Sequence, residues 1–179
     1  MHLLKLLTPS ILSSFRLLAA LLFPFCPESS WLWLIVVAGI SDALDGWLAR
    51  RWHVVTWQGG LIDAIADKLF VLTVLIIYVK AGKIDLEWIP AVISRDLLVL
   101  ATALHIAFSR AWDSFKKMTA RASGKLATAG QFVLFLLVAT VPDLTFYALL
   151  FASLCSGLSA IDYGRLFVKE LSARNRSHE

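Results

Sequence analysis

Six apolar stretches, at about 9–27, 31–49, 60–80, 88–109, 123–141 and 144–167, take up most of the chain and leave little length from which to build a water-facing surface. Each is close to the ~20 residues that a helix needs to cross a bilayer. A lipid-embedded backbone has no outside partners for its N–H and C=O groups, so each stretch is a helix candidate. The breaks fall at Pro24 to Ser30, Trp57 to Gly60, Ala81 to Glu87, Ser109 to Gly124 and Pro142-Asp143, where turn-forming and polar residues gather. The expectation is an all-α integral membrane protein: one domain over residues 1–179, a six-transmembrane-helix bundle with a short N-terminal interfacial segment at residues 1–7. Composition agrees, since 59% hydrophobic and 17% charged residues with a mean hydropathy of +0.74 are too apolar for an ordinary soluble domain. No internal repeat is evident.

The basic residues set the orientation. Lys5, Arg50 and Arg51, then Arg110, Lys116, Lys117, Arg121 and Lys125, then Arg165, Lys169, Arg174 and Arg176 fall at one set of helix ends, against Lys80 and Lys83 at the other. Short cytoplasmic loops hold Lys and Arg, so both termini are expected on the cytoplasmic side of the cytoplasmic (inner) membrane, with Trp31, Trp33 and Trp88 as aromatic anchors at the far interface. The net charge of +4 is explained by this bias and argues against nucleic acid as a partner. Arg16 interrupts the first apolar stretch and no small-residue cleavage site follows, so the N-terminus reads as retained. Cys26 and Cys155 lack a C-x-x-C or His partner and read as packing residues.

Against this background the run D-A-L-D-G-W-L-A-R, eight further residues, then G-G-L-I-D-A-I-A-D stands apart. An intramembrane aspartate costs about 2.5–3.5 kcal/mol on insertion scales, so four of them need metal, water or counter-charge. Asp42 and Asp45 are spaced i,i+3 near the cytoplasmic end of the second helix; Asp63 and Asp67 are spaced i,i+4 at the start of the third. Across a short antiparallel connection both pairs fall at one depth. Oxygen-only ligands suit a hard cation, Mg²⁺ or Mn²⁺, and four carboxylates can hold two ions. Two such ions suit an in-line phosphoryl displacement. Gly46 and Ala49 would let a nucleotide or phosphate approach the helix, Arg50 is placed to contact a phosphate, and Gly59 relieves crowding where the third helix begins. Taken singly, each of these has a bland alternative: an Asp as a helix-pairing residue, a Gly or Ala as close packing. Simple packing does not call for repeated intramembrane charge.

This run resembles the signature of the CDP-alcohol phosphotransferase family, D-x2-D-G-x2-A-R-x8-G-x3-D-x3-D, with Asp42, Asp45, Gly46, Ala49, Arg50, Gly59, Asp63 and Asp67 at every fixed position. The resemblance implies a six-helix homodimer with a cytoplasm-facing polar cavity and metal held by Asp42, Asp45, Asp63 and Asp67. It further implies Asp67 as the catalytic base for the acceptor hydroxyl, and CDP held by Gly46, Ala49, Arg50 and Gly59. The implied chemistry is transfer of a phosphatidyl group from CDP-diacylglycerol to a small or lipid alcohol, with CMP released.

Acceptor signals come from elsewhere. T-P-S-I-L-S-S-F-R, ending at Arg16, resembles the T-P-N-x-L-T-x-x-R opening of glycerophospholipid-making members; Ser94-Arg95-Asp96 and G-K-L-A-T-A-G-Q from Gly124 resemble segments of the phosphatidylglycerophosphate and cardiolipin synthases. Glycerol 3-phosphate is the expected acceptor; phosphatidylglycerol is the rival, favoured by Arg-Asp at 95–96 and by Ala127 where phosphatidylglycerophosphate synthases often carry a second Lys. Inositol phosphate or other alcohols follow. Arg95, Arg121 and Lys125 are the candidates for an acceptor phosphate. Arg95 is read equally as a structural ion pair, its partner expected on another span because Asp96 points elsewhere on a regular helix. Arg121 and Lys125 are equally readable as topology residues, while Lys116 and Lys117 read as contacts to anionic lipid. His53 and His105 lack metal-ligand spacing, and Asp162 lies outside the catalytic set. A cation transporter is the reading from a different class, disfavoured because the acids lie toward one surface rather than at the midplane between repeats.

Overall fold

The computed structural model describes residues 15–52, 57–108 and 122–176, with side chains described for 15–44, 65–102 and 123–169. Every regular element among them is helical: α1 (residues 15–22) running into a 3₁₀ turn at Phe23–Phe25, α2 (Glu28–Trp52), α3 (Trp57–Lys80), α4 (Trp88–Val92), α5 (Ser94–Phe108), α6 (Ala122–Thr140), a 3₁₀ turn at Pro142–Leu144, and α7 (Thr145–Arg176). Among the described residues two stretches, Ser123–Thr140 and Pro142–Lys169, are long and apolar enough to cross a bilayer. The chain forms two compact units, Met1–Ile84 with Phe135–Pro142, and Asp85–Leu134 with Asp143–Glu179.

In the first unit an aromatic cluster ties α2 to α3. Trp31 stacks on Phe23 at 5.7 Å between ring centroids and meets Tyr78 at 5.7 Å, while Phe70 meets Phe23 edge-on at 6.1 Å. Tyr78 donates its hydroxyl to the carbonyl of Phe135 at 2.9 Å, which satisfies the polar tip of a buried ring. The C-terminus of α3 closes as a Schellman motif: Gly82 takes φ of +66°, its N–H bonds the Val79 carbonyl at 3.0 Å, and the Lys83 N–H bonds the Tyr78 carbonyl at 2.9 Å. This turn brings Lys83 to an ion pair with Glu28 and over the ring of Trp31. Trp31 is therefore buried and not an interfacial anchor as its sequence position suggests; Trp33, 69% exposed, keeps that reading.

In the second unit the stretch expected as one helix over 88–109 is interrupted at Ile93, whose φ of −101° and ψ of 10° leave the helical region. The side chain of Ser156 on α7 enters the backbone ladder there: the Arg95 N–H donates to its Oγ at 3.1 Å, and the Ser94 hydroxyl donates to the same oxygen at 3.2 Å. A side chain inserted into the i→i−4 ladder is a recognised cause of a helix break. Helices α6 and α7 approach closely at Gly130, where an added Cβ would lie 3.4 Å from that of Cys155. Along α7, Tyr147, Phe151, Leu154, Leu158 and Ile161 form an exposed apolar stripe, while Ser156, Ser159 and Tyr163 are buried. That polarity is the reverse of a water-facing helix.

Candidate active site

The contact of Trp31 with Tyr78 fixes the antiparallel register of α2 and α3, and the register fixes the acids. Asp42 lies eleven residues after Trp31 and Asp67 eleven residues before Tyr78. Eleven residues make about three helical turns, so each aspartate returns to the face carrying the aromatic residue of its own helix, about 16 Å along the axis. Ideal helix spacing from that contact puts Asp42 and Asp67 near one level. Asp45 stands one turn further along α2 and Asp63 one turn earlier along α3; they share those helices with Gly46, Ala49, Arg50 and Gly59, and the side chains of these six lie outside the described residues.

The two described carboxylates are in different states. Asp42, 36% exposed, accepts Nη2 of Arg16 at 2.9 Å, and the Arg16 side chain has no exposure at all. Asp67 is 13% exposed; its Oδ2 pairs with Lys68 at 2.9 Å, and its Oδ1 is buried with no hydrogen-bond partner among the described residues. A buried unsatisfied acceptor costs about 1–3 kcal/mol, more when charged, unless a cation or proton reaches it. A desolvated carboxylate oxygen on a face that also bears Asp42 fits a hard divalent ion by donor chemistry.

The second unit holds a separate polar cluster around Arg95. Its Nη1 pairs with Asp96 at 2.8 Å, so the neighbouring carboxylate is the partner, contrary to the expectation that Asp96 points away. Adjacent helical residues diverge at Cβ, but the Arg side chain is long enough to fold back at the first turn of α5. Gln131 Nε2 holds the other oxygen of Asp96 at 2.9 Å and the Val92 carbonyl at 3.1 Å. The guanidinium carbon lies 5.3 Å from the ring centre of Tyr163, a cation–π distance. Gly124 closes the remaining side, since a Cβ there would come within 2.7 Å of Arg95 Nη2 and 3.0 Å of Tyr163 Oη. Beside it, Ser123 donates to Asp162 at 2.7 Å. Arg95 Nε is buried with no hydrogen-bond partner among the described residues. Lys125 is exposed near the start of α6; Arg121 lies outside the described residues.

Sequence reasoning missed Arg16 as the counter-charge of Asp42, although an arginine within an apolar stretch was the signal. It also missed Tyr163 as a neighbour of Arg95 and Gln131 as a partner of Asp96, because a polar residue on an apolar helix names no partner.

The model of the family described as CDP-alcohol phosphatidyltransferase matches residues 6–158. The chain is 37% identical over 70 residues to a protein of Haemophilus influenzae named CDP-diacylglycerol--glycerol-3-phosphate 3-phosphatidyltransferase, covering 38% of each chain. It is 43% identical over 68 residues to a Rickettsia bellii protein of the same name, covering 37% of this chain and 36% of the relative. A Streptomyces coelicolor protein named cardiolipin synthase (CMP-forming) is 41% identical over 78 residues, covering 38% of this chain and 36% of the relative. The matched stretches span well under half the length of these relatives.

Proposed function

The chain belongs to the CDP-alcohol phosphatidyltransferase family, and from that premise we propose that it transfers the phosphatidyl group of CDP-diacylglycerol to the hydroxyl of glycerol 3-phosphate, releasing CMP. The observation that carries the reading is the contact of α2 with α3 through Trp31 and Tyr78, with the fixed positions of the D-x2-D-G-x2-A-R-x8-G-x3-D-x3-D signature on those two helices. Two relatives named for glycerol 3-phosphate support the acceptor. The rival is phosphatidylglycerol, supported by the cardiolipin synthase relative and by Arg95-Asp96.

In this reading the acceptor oxygen attacks the lipid-side phosphorus, the bond from that phosphorus to the CMP oxygen breaks, and CMP leaves with the electron pair. Asp67 takes the hydroxyl proton. Asp42, Asp45, Asp63 and Asp67 would hold two Mg²⁺ or Mn²⁺ ions, whose charge would offset that of the pyrophosphate. Gly46, Ala49, Arg50 and Gly59 hold the CDP portion, and Arg95, Arg121 and Lys125 receive the acceptor phosphate. The protein is a six-helix homodimer in one membrane domain, with its termini and active site facing the cytoplasm; the exposed apolar stripe of α7 meets lipid.

The test is CMP release by purified protein given CDP-diacylglycerol and Mg²⁺ or Mn²⁺, with glycerol 3-phosphate, phosphatidylglycerol and inositol phosphate in parallel and Asp67→Asn as control. Release dependent on glycerol 3-phosphate and lost in Asp67→Asn is expected. Dependence on phosphatidylglycerol alone would move the protein to the rival reading, and near-normal turnover in Asp67→Asn would sink its assignment as base.

A further inference from the structure

Among the described residues Arg16 is the only charged side chain with no exposure. Burial separates it from the basic residues at helix ends, which orientation explains. A wholly buried guanidinium is costly, and a buried ion pair is often replaceable by apolar residues without loss of stability. Stability alone therefore gives little reason for an arginine here. Its partner supplies one: Nη2 of Arg16 lies 2.9 Å from Oδ1 of Asp42, the first aspartate of the signature. The pair is asymmetric, with Arg16 wholly enclosed and Asp42 36% exposed. The arginine holds a carboxylate that keeps part of its surface accessible.

We propose that Arg16 is a positioning residue for Asp42, fixing that carboxylate through Oδ1 so that its exposed side is presented to the divalent ion. The inference rests on the metal reading of the aspartates. Outer partners that orient a ligating carboxylate set metal affinity, and their loss typically weakens binding about 10–100-fold. The bundle supplies this partner from α1, a different helix from any that carries the signature. That explains an arginine fixed in the first apolar stretch rather than at its end.

The experiment is a Mn²⁺ titration of the purified full chain, reading unbound Mn²⁺ by electron paramagnetic resonance and melting temperature with and without the ion. Arg16→Gln is expected to weaken Mn²⁺ binding about tenfold or more. It should raise the Mn²⁺ concentration for half-maximal CMP release more than it lowers kcat at saturating metal. Arg16→Lys, which can restore the single N–H to Oδ1 contact, is expected to recover part of the affinity. In an Asp42→Asn background the same change at position 16 should cost nothing further. Unchanged or tighter binding by Arg16→Gln would overturn the proposal, as would an equal loss in the Asp42→Asn background. If Arg16→Gln does not fold, Arg16→Lys measured with and without Asp42→Asn decides, since absence of coupling between the two positions overturns it. A wild-type chain that binds no Mn²⁺ would instead refute the metal reading itself, and this proposal with it.

Discussion

Replacing Gly124 by Ala puts a methyl group where Arg95 already sits. The new Cβ would lie 2.7 Å from Nη2 of Arg95 and 3.0 Å from Oη of Tyr163, against about 3.4 Å for ordinary contact. Tyr163 is 5% exposed and enclosed, so the guanidinium has to give way by several tenths of an ångström. It does so while held to Asp96 at 2.8 Å and lying over the Tyr163 ring. Two terms set the stability change: Ala in a helix interior gains about 1 kcal/mol over Gly, and overpacking costs about 1–3 kcal/mol. The net loss is about 0–2 kcal/mol, a melting shift of a few degrees. Function suffers more, because a hydrogen bond to a charged group contributes about 1.5–3 kcal/mol. On the role proposed for Arg95, its displacement should raise KM for glycerol 3-phosphate about tenfold or more, at 1.4 kcal/mol per decade. KM for CDP-diacylglycerol should stay unchanged. The assay is CMP release with each substrate varied in turn, and Gly130→Ala is the control on the same helix, its Cβ 3.4 Å from that of Cys155. A wild-type acceptor KM in Gly124→Ala, or an equal rise in Gly130→Ala, would refute the reasoning.

Tyr78→Phe removes the donor to the Phe135 carbonyl and should lower stability by about 1–2 kcal/mol, read as a drop in melting temperature; no drop would mean that this bond adds nothing net. Gly157→Ala on α7 meets no atom within 4 Å and should raise stability by up to about 1 kcal/mol through helix propensity; a fall in melting temperature would show that face to be covered. Chelation should abolish CMP release, with Mg²⁺ or Mn²⁺ restoring it, and full activity in excess chelator would contradict the assignment of the four aspartates.

The acids were legible because their spacing is local. An i,i+3 pair and an i,i+4 pair fix faces of their own helices with no knowledge of the rest of the chain. Their common level was legible only roughly, from the short connection; the structure supplies the register through the contact of Tyr78 with Trp31, a residue whose sequence position assigns it to an interface. The break at Ile93 was not legible at all. Pro90 precedes it and lies within the first turn of α4, where it breaks nothing. The cause is Ser156, 61 residues from the Arg95 amide it accepts.

Arg16 and Arg95 show why charge was easier to find than its partner. Both stood out as cations within apolar stretches, since an intramembrane charge is expensive wherever it points. What resolves each is a contact whose sequence separation says nothing in advance. Arg16 reaches Asp42 on another helix, whereas Arg95, expected to look across the bundle, folds back onto the adjacent Asp96. The second case follows from the side facing Arg95. Gly124 leaves room for the guanidinium, Tyr163 covers it, and Gln131 holds Asp96 from behind, so the arginine is oriented before any anion arrives. A cation already paired and stacked loses little freedom on binding a phosphate. The ion pair and the acceptor site, which stood as alternatives in the sequence, are therefore compatible roles for one residue.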